Sequence, residues 1–245
     1  MEQIQILEYI LTKLKENGLD KAQCIVNNSQ KKELNIDAGD VSLFRTTFNT
    51  NVGITAYMDG KKGSISINKT DAESIDKAIL DVLELAKSSM PDDAFDIAEF
   101  QDSQSFQCGN TDSDMNLMYE KLLEFKEYSD EKYPYVILEQ AILDHTTNNG
   151  LFINSNGVKF EIIKGLYSFS PMFTAKDGEN TSSFNYSGFT AKDIIKPLHM
   201  HGSIDRLLGE SQNQTVTYPV KKKFVGEVII TPDCLDDFIS IITSF

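Results

Sequence analysis

Few side chains in this sequence combine the chemistry and the spacing of a reaction centre. His199-Met200-His201 sets two imidazoles two residues apart. On a strand they would share a face and could hold a metal ion, whereas on a helix they diverge. His145 is the one other histidine, and no third ligand lies near the pair in sequence, so a solvated or hydrogen-bonded pair is expected. Cys234 sits among Asp233, Asp236 and Asp237. Neighbouring acids raise a thiol's pKa, which favours a small core residue on a terminal helix over a nucleophile. Between residues 88 and 114 lie Asp92, Asp93, Asp96, Glu99, Asp102, Asp112 and Asp114, without the loop spacing and fixed glycine of a calcium site. No Gly-x-Ser-x-Gly elbow, phosphate-cradling glycine loop, dinucleotide fingerprint or His-Glu-x-x-His helix occurs. The residues alone nominate no catalytic, cofactor-binding or metal-ligating side chain.

Composition narrows the classes. The 245 residues carry 23 basic and 37 acidic side chains, a formal charge of −14, with 40% hydrophobic residues. Those proportions belong to a globular chain with a sizeable core. A polyanion would be repelled, because phosphate contacts need clustered Lys and Arg. The single basic run, Lys221-Lys222-Lys223, reads as a solvated loop before a strand. Cys24, Cys108 and Cys234 are an odd, scattered set, as expected of free thiols in a reducing compartment. The start, Met1-Glu2-Gln3-Ile4-Gln5, lacks a signal peptide's basic and apolar blocks, and no apolar run approaches the ~20 residues of a membrane span. A cytoplasmic location is therefore expected, with neither nucleic acid nor membrane as partner.

The elements that would position these residues follow from periodicity. Ile4, Leu7, Ile10, Leu11 and Leu14 mark an opening amphipathic helix that ends at Asn17-Gly18. Strand-like runs cover 22–28, 33–38 and 41–48, with a turn at Gly39-Asp40. Residues 51–58 and 64–68 alternate about Asp59-Gly60-Lys61-Lys62-Gly63, the strongest hairpin signal in the chain. Thr70-Asp71-Ala72-Glu73 has capping-box spacing and opens a helix with Ile75, Ile79, Val82, Leu83 and Ala86 on one face. A second round comprises a helix through Met115, Met118, Leu122 and Phe125 and strand-like runs at 136–146, 151–153, 158–163 and 166–175. A short helix at 203–212 closes it. Turns are expected at Asn154-Ser155-Asn156-Gly157 and Lys176-Asp177-Gly178-Glu179-Asn180.

These patterns predict an α+β fold of two helix–strands–hairpin–helix units with antiparallel sheets, which could be a duplication. The expected division is an N-terminal α+β domain at 1–90, an acidic linker at 91–114 draped over a surface through Phe95, Phe100 and Phe106, and a central α+β domain at 115–218. At 219–245 a strand over 225–230 and a helix from Thr231-Pro232-Asp233 would begin a third domain. That helix is apolar through Phe245, with no closing cap, as expected of the front part of a longer protein.

Several of these segments resemble one family. Val52-Gly53-Ile54-Thr55-Ala56-Tyr57-Met58-Asp59-Gly60-Lys61-Lys62-Gly63-Ser64 is similar to the signature of the TldD/PmbA family, known as modulators of DNA gyrase, and the following helix carries Ala78 and Ala86. Phe152-Ile153-Asn154-Ser155-Asn156-Gly157-Val158 resembles the family's N-S-x-G turn, followed by Ala175-Lys176-Asp177-Gly178. Val225-Gly226-Glu227-Val228-Ile229-Ile230-Thr231-Pro232 resembles the strand that opens its C-terminal domain.

The resemblance implies a peptidase-like protein working with a related subunit. One subunit type, TldD, holds zinc or a similar metal through a His-Glu-x-x-x-His helix after that strand, and the other, PmbA or TldE, lacks it. Here the corresponding stretch is Asp233-Cys234-Leu235-Asp236-Asp237-Phe238-Ile239-Ser240, without histidine or glutamate. The resemblance thus implies a PmbA/TldE-like subunit with no cofactor or metal of its own, inactive alone. Its partner would be a TldD-like subunit or a second copy, acting on unfolded peptides or peptide precursors. The alternative is a free-standing peptide- or protein-binding module that presents a strand edge.

Overall fold

The computed structural model describes residues 2–19, 21–219, 222–223 and 225–244, with no description of the Asp233 side chain. Expectations resting on Met1, Lys221, Phe245 and the Asp233 carboxylate lie outside the described residues. The first half runs α1 (Gln3–Glu16), β1 (Lys21–Asp37), β2 (Asp40–Met58), β3 (Lys61–Ile67) and α2 (Ala72–Ser88). After β4 (Gln104–Gly109) the pattern recurs as α3 (Met115–Lys132), β5 (Val136–Asn154), β6 (Lys159–Asp177), the short strands β7 (Asn180–Thr181), β8 (Asn185–Tyr186) and β9 (Phe189–Ala191), a 3-10 turn at Leu198–Met200, and α4 (Ile204–Asn213).

The fold class is α+β as expected, but the two halves share one sheet. Its order is β3-β2-β1-β5-β6-β4, with the short strands also pairing on β6. β1 and β5 lie antiparallel from Gln23↔Asn154 to Asp37↔Gln140, so the first strand of each half is the inner strand of the sheet. β4 alone runs parallel to its neighbour.

The hairpins form where glycine permits positive φ. Ala38 and Gly39 (φ 49° and 86°) and Asp59 and Gly60 (φ 53° and 72°) each make a two-residue turn whose twist matches the strands it joins. The strands are longer than the sequence runs suggested. The runs 22–28 and 33–37 join in β1, 136–146 and 151–153 in β5, and 159–163 and 166–175 in β6. Polar residues in their middles interrupt the apolar alternation without interrupting the ladder.

Alternation places the helices on one face. Ala22, Cys24 and Val26 of β1 meet Leu151 and Ile153 of β5 beneath α1 and α2. Leu34 and Ile36, on the same face of β1, meet Leu143 of β5 and Phe169 of β6 beneath α3 and α4. Met118, Leu122 and Phe125 of α3 are fully buried there, and Phe125 stands edge-on to Phe169 with ring centroids 4.9 Å apart. Strands of this length run about 60 Å, so each helix pair covers one end and leaves a polar waist between two cores.

Caps and turns refine the sequence reading. The α2 cap is Asp71 rather than Thr70, its carboxylate accepting from the Ser74 N–H at 2.9 Å. Asp114 likewise caps α3, accepting from Asn116 and Leu117. Segment 91–114 is more than solvated chain, since it contributes β4 to the sheet. Phe95 meets Tyr57 edge-on and Phe106 meets Phe160. Asn154 anchors this segment, donating to the Ala98 carbonyl at 2.7 Å while its own carbonyl accepts from Asn156 and Val158.

The expected strand at 225–230 does not form among the described residues; Val225 and Ile229 are exposed there. The following helix, α5 (Pro232–Thr243), does form, but Cys234 on it is exposed instead of packed in a core.

The Asp59-Gly60-Lys61-Lys62-Gly63 segment acquires a packing reason. A Cβ on Gly63 would lie 2.5 Å from the Ala86 nitrogen and closer still to the Val82 carbonyl. Strand and helix backbones touch, and neither can retreat cheaply. Gly63→Ala is expected to lower unfolding stability by about 1–3 kcal/mol through overpacking, read as a lower urea midpoint.

Candidate functional site

Among the described residues, no helix covers the second face of the sheet. At its waist β1, β2, β5 and β6 form an open groove of about 550 Å³ lined by Asn27, Ser29, Asn49, Asn51, Asn148 and Lys164, with Ile25 and Ile162 beside them on the same face. Antiparallel pairing sets Asn27 opposite Asn51, and Ser29 opposite both Asn49 and Asn148. Side-chain amides both donate and accept, so the groove offers paired hydrogen-bonding groups beside the Ser29 hydroxyl and the Lys164 amine. Beside it, Phe106, Phe160 and Phe152 form an aromatic strip.

A charge network closes the groove's other end. The Glu33 side chain is 2% exposed and receives Lys31 at 3.1 Å and Arg45 at 3.0 Å. Lys31 also reaches Asp144 at 3.2 Å, joining the two halves across the β1–β5 seam. Burial alone would raise the Glu33 carboxyl, but hydrogen bonds and charges from Lys31 and Arg45 outweigh it and hold it below the usual carboxylate range. A carboxylate so stabilised is a poor proton acceptor. The network fixes Glu33 as a charged, hydrogen-bonded carboxylate between two cations.

The sequence candidates are not brought together. His199 stacks on Tyr128 with centroids 3.5 Å apart, while His201 stacks on Phe189 at 3.9 Å. The two rings thus serve different neighbours, one on α3 and one on β9. His145, from the interior of β5, donates from Nε2 to the Asn110 carbonyl at 2.8 Å. The Cys24 thiol is pushed up to about 12 by burial and points at the Leu7 carbonyl. Among the described residues no cluster of His, Cys, Asp or Glu could hold a metal ion. Asp96 pairs with Lys21 at 2.7 Å, so one acid of the 88–114 group serves to anchor that segment.

Sequence reasoning missed the waist altogether. Glu33 and Asp144 meet only through β1–β5 pairing, and runs of Asn, Ser and Lys read as loop. Alternation carried through the polar residues is the signal that could have joined them.

The fold is that of an α+β protein with two helix–hairpin–helix units on one sheet and an open polar groove on its second face. Residues 22–86 match PmbA/TldA metallopeptidase domain 1, a first domain of the TldD/PmbA family. The chain's fold is similar to TldE from Thermococcus kodakarensis, with a TM-score of 0.65 at 14% identity over 86% of this chain and 47% of that one. A candidate modulator of DNA gyrase from Bacteroides thetaiotaomicron gives 0.63 at 17% identity, over 85% and 49%. Another from Thermotoga maritima gives 0.59 at 14%, over 86% and 47%. The chain therefore spans about half the length of the solved structures it matches. No curated protein matches it. Among the described residues, no helix is long and apolar enough to cross a membrane.

Two measurements test the site's electrostatics. Lys31→Ala leaves Asp144 without its cation and Glu33 with Arg45 alone. Allowing for the partial exposure of Lys31, the expected loss is about 1–3 kcal/mol in urea unfolding. Burial lowers the His145 pKa from 6.5. Its native form then resists a proton that the unfolded chain accepts, so its stabilising share is full above pH 6.5 and is lost as pH falls below that value. The His145 ring signal should titrate with a midpoint below 6.5 by NMR, and thermal stability should fall over the same acid range.

Proposed function

We propose that this chain is the N-terminal and central portion of a PmbA/TldE-like subunit, which supports a metal-bearing TldD-like partner in cleaving unfolded peptides or processing peptide precursors. The observation that carries the reading is the donor set of α5. Asp233-Cys234-Leu235-Asp236-Asp237-Phe238-Ile239-Ser240 offers neither the histidines nor the glutamate of a His-Glu-x-x-x-His site. The residues present do not fit such a metal, and no reaction step is assigned to them. The first-domain match and the fold likeness to TldE support the same reading.

In this role the chain's own residues bind and position. An extended peptide presents alternating amide N–H and carbonyl groups, and the waist amides can engage both. A peptide-binding module without a proteolytic role is the second reading, favoured by the same groove.

The deciding assay uses the full-length protein with an unfolded peptide, alone and mixed with a His-Glu-x-x-x-His family member from the same cell. Cleavage only in the mixture is the expected result. Cleavage by this protein alone would overturn the supporting role. Binding without cleavage in either case would establish the second reading.

A further inference from the structure

At the waist groove, strand register divides the chemistry into two rows. Ile25, Phe152 and Phe160 lie opposite one another on β1, β5 and β6. Beyond the next same-face row, Asn27, Gly150 and Ile162, stand Ser29, Asn148 and Lys164. Directly paired residues share a face of the sheet, so the first of these rows is wholly apolar and the last wholly polar. Gly150 separates them on β5. A Cβ there would lie 2.4 Å from Asn27 Oδ1, so the Asn27 amide occupies the space that the glycine leaves.

The polar row also carries the groove's charge. The lining holds one cation, Lys164, and no carboxylate. Lys164 is exposed and makes no ion pair among the described residues. The adjoining network sets Lys31 and Arg45 against Glu33 and Asp144, so it adds no net charge. From Asn51 on β2 to Ile162 on β6 the lining crosses β1 and β5. That span is about 14 Å, the reach of about four extended residues.

We infer that the groove takes a short extended peptide whose side chains alternate between apolar and acidic. An extended chain lying across the strands sends successive side chains to opposite sides. One set then meets Ile25, Phe152 and Phe160, while the other meets the Asn148 amide and the Lys164 amine. A basic peptide would set its cations against Lys164, and a wholly polar one would leave the apolar row in water. Resting on the peptide-binding reading of the same groove, the pattern specifies which peptides it selects.

The test reads fluorescence anisotropy of labelled hexapeptides, blocked at both ends, titrated with the full-length protein. One peptide alternates leucine with aspartate, a second has lysine for aspartate, and a third has serine for leucine. The leucine–aspartate peptide should bind about ten-fold or more tighter than either of the others. Lys164→Glu, at an exposed position, should reverse the order of the aspartate and lysine peptides with unchanged circular dichroism. Phe160→Ser should erase the preference for leucine over serine. If that variant loses its circular dichroism, Ile25→Ser takes its place with the same expectation.

Equal binding of the three peptides, or an order unchanged by Lys164→Glu, would overturn the inference. If the three also bind equally and are cleaved equally in the mixture with the His-Glu-x-x-x-His family member, the supporting-subunit reading stands and only the selectivity falls. If no hexapeptide binds, peptide binding in the groove falls together with the selectivity. Self-association that Lys164→Glu abolishes, without peptide binding, would give the groove to a second copy and overturn the inference as well.

Discussion

The antiparallel pairing of β1 with β5 is the constraint on which the rest of the molecule depends. It brings together strands more than a hundred residues apart and makes one sheet of two helix–hairpin–helix halves. With the inner strands fixed head to tail, alternation sends the apolar side chains of both halves to the same face. The helices must then divide that face, one pair at each end. Neither pair can reach the middle, so the sheet passes through a stretch where no apolar layer covers either side. Where β4 leads into α3, backbone carbonyls take over that task at Asn110 and Thr111, receiving His145 and Thr147.

The same constraint decides what kind of site this can be. A catalytic group needs a tuned pKa beside a place for substrate; the waist instead neutralises its charges internally. Glu33 is held by two cations, and Asp144 from the other half shares one of them. What remains open to a ligand is the amide, hydroxyl and amine chemistry of the groove, flanked by Ile25 and Ile162. The family match by the first domain covers the β1–β2–β3 hairpins and α2.

The helices and turns were legible in the sequence because their signals are local. The 3.6-residue spacing of Leu7, Ile10 and Leu14 and the Asp59-Gly60 pair each specify their element within a few residues. The long strands were legible only in pieces. Asn27 to Lys32, and Thr146 to Gly150, look like loops because periodicity reports burial, and these residues are extended without being deeply buried. β4 gave no signal, being a short, polar, parallel edge whose reason for existing is Phe160–Gly165 far along the chain. At 225–230 the opposite happened: the β-branched residues Val225, Val228, Ile229 and Ile230 read as a strand, and among the described residues nothing pairs with them. The site was illegible for a related reason: Lys31, Glu33 and Arg45 sit near one another in sequence, but their bond to Asp144 is created by topology.

The polar middle of β1 has a meaning for biosynthesis as well. Chains emerge from the ribosome N-terminus first, so β1 and β2 can form their hairpin long before residue 154 has been made. Throughout that interval the inner edge of β1, destined for β5, has nothing to pair with. An apolar strand left waiting in that condition would recruit other nascent chains. Asn27-Asn28-Ser29-Gln30-Lys31-Lys32 in its centre keeps the waiting edge hydrated, and the two lysines repel a second copy in register. The residues that deny the finished sheet a continuous core therefore protect the half-made one.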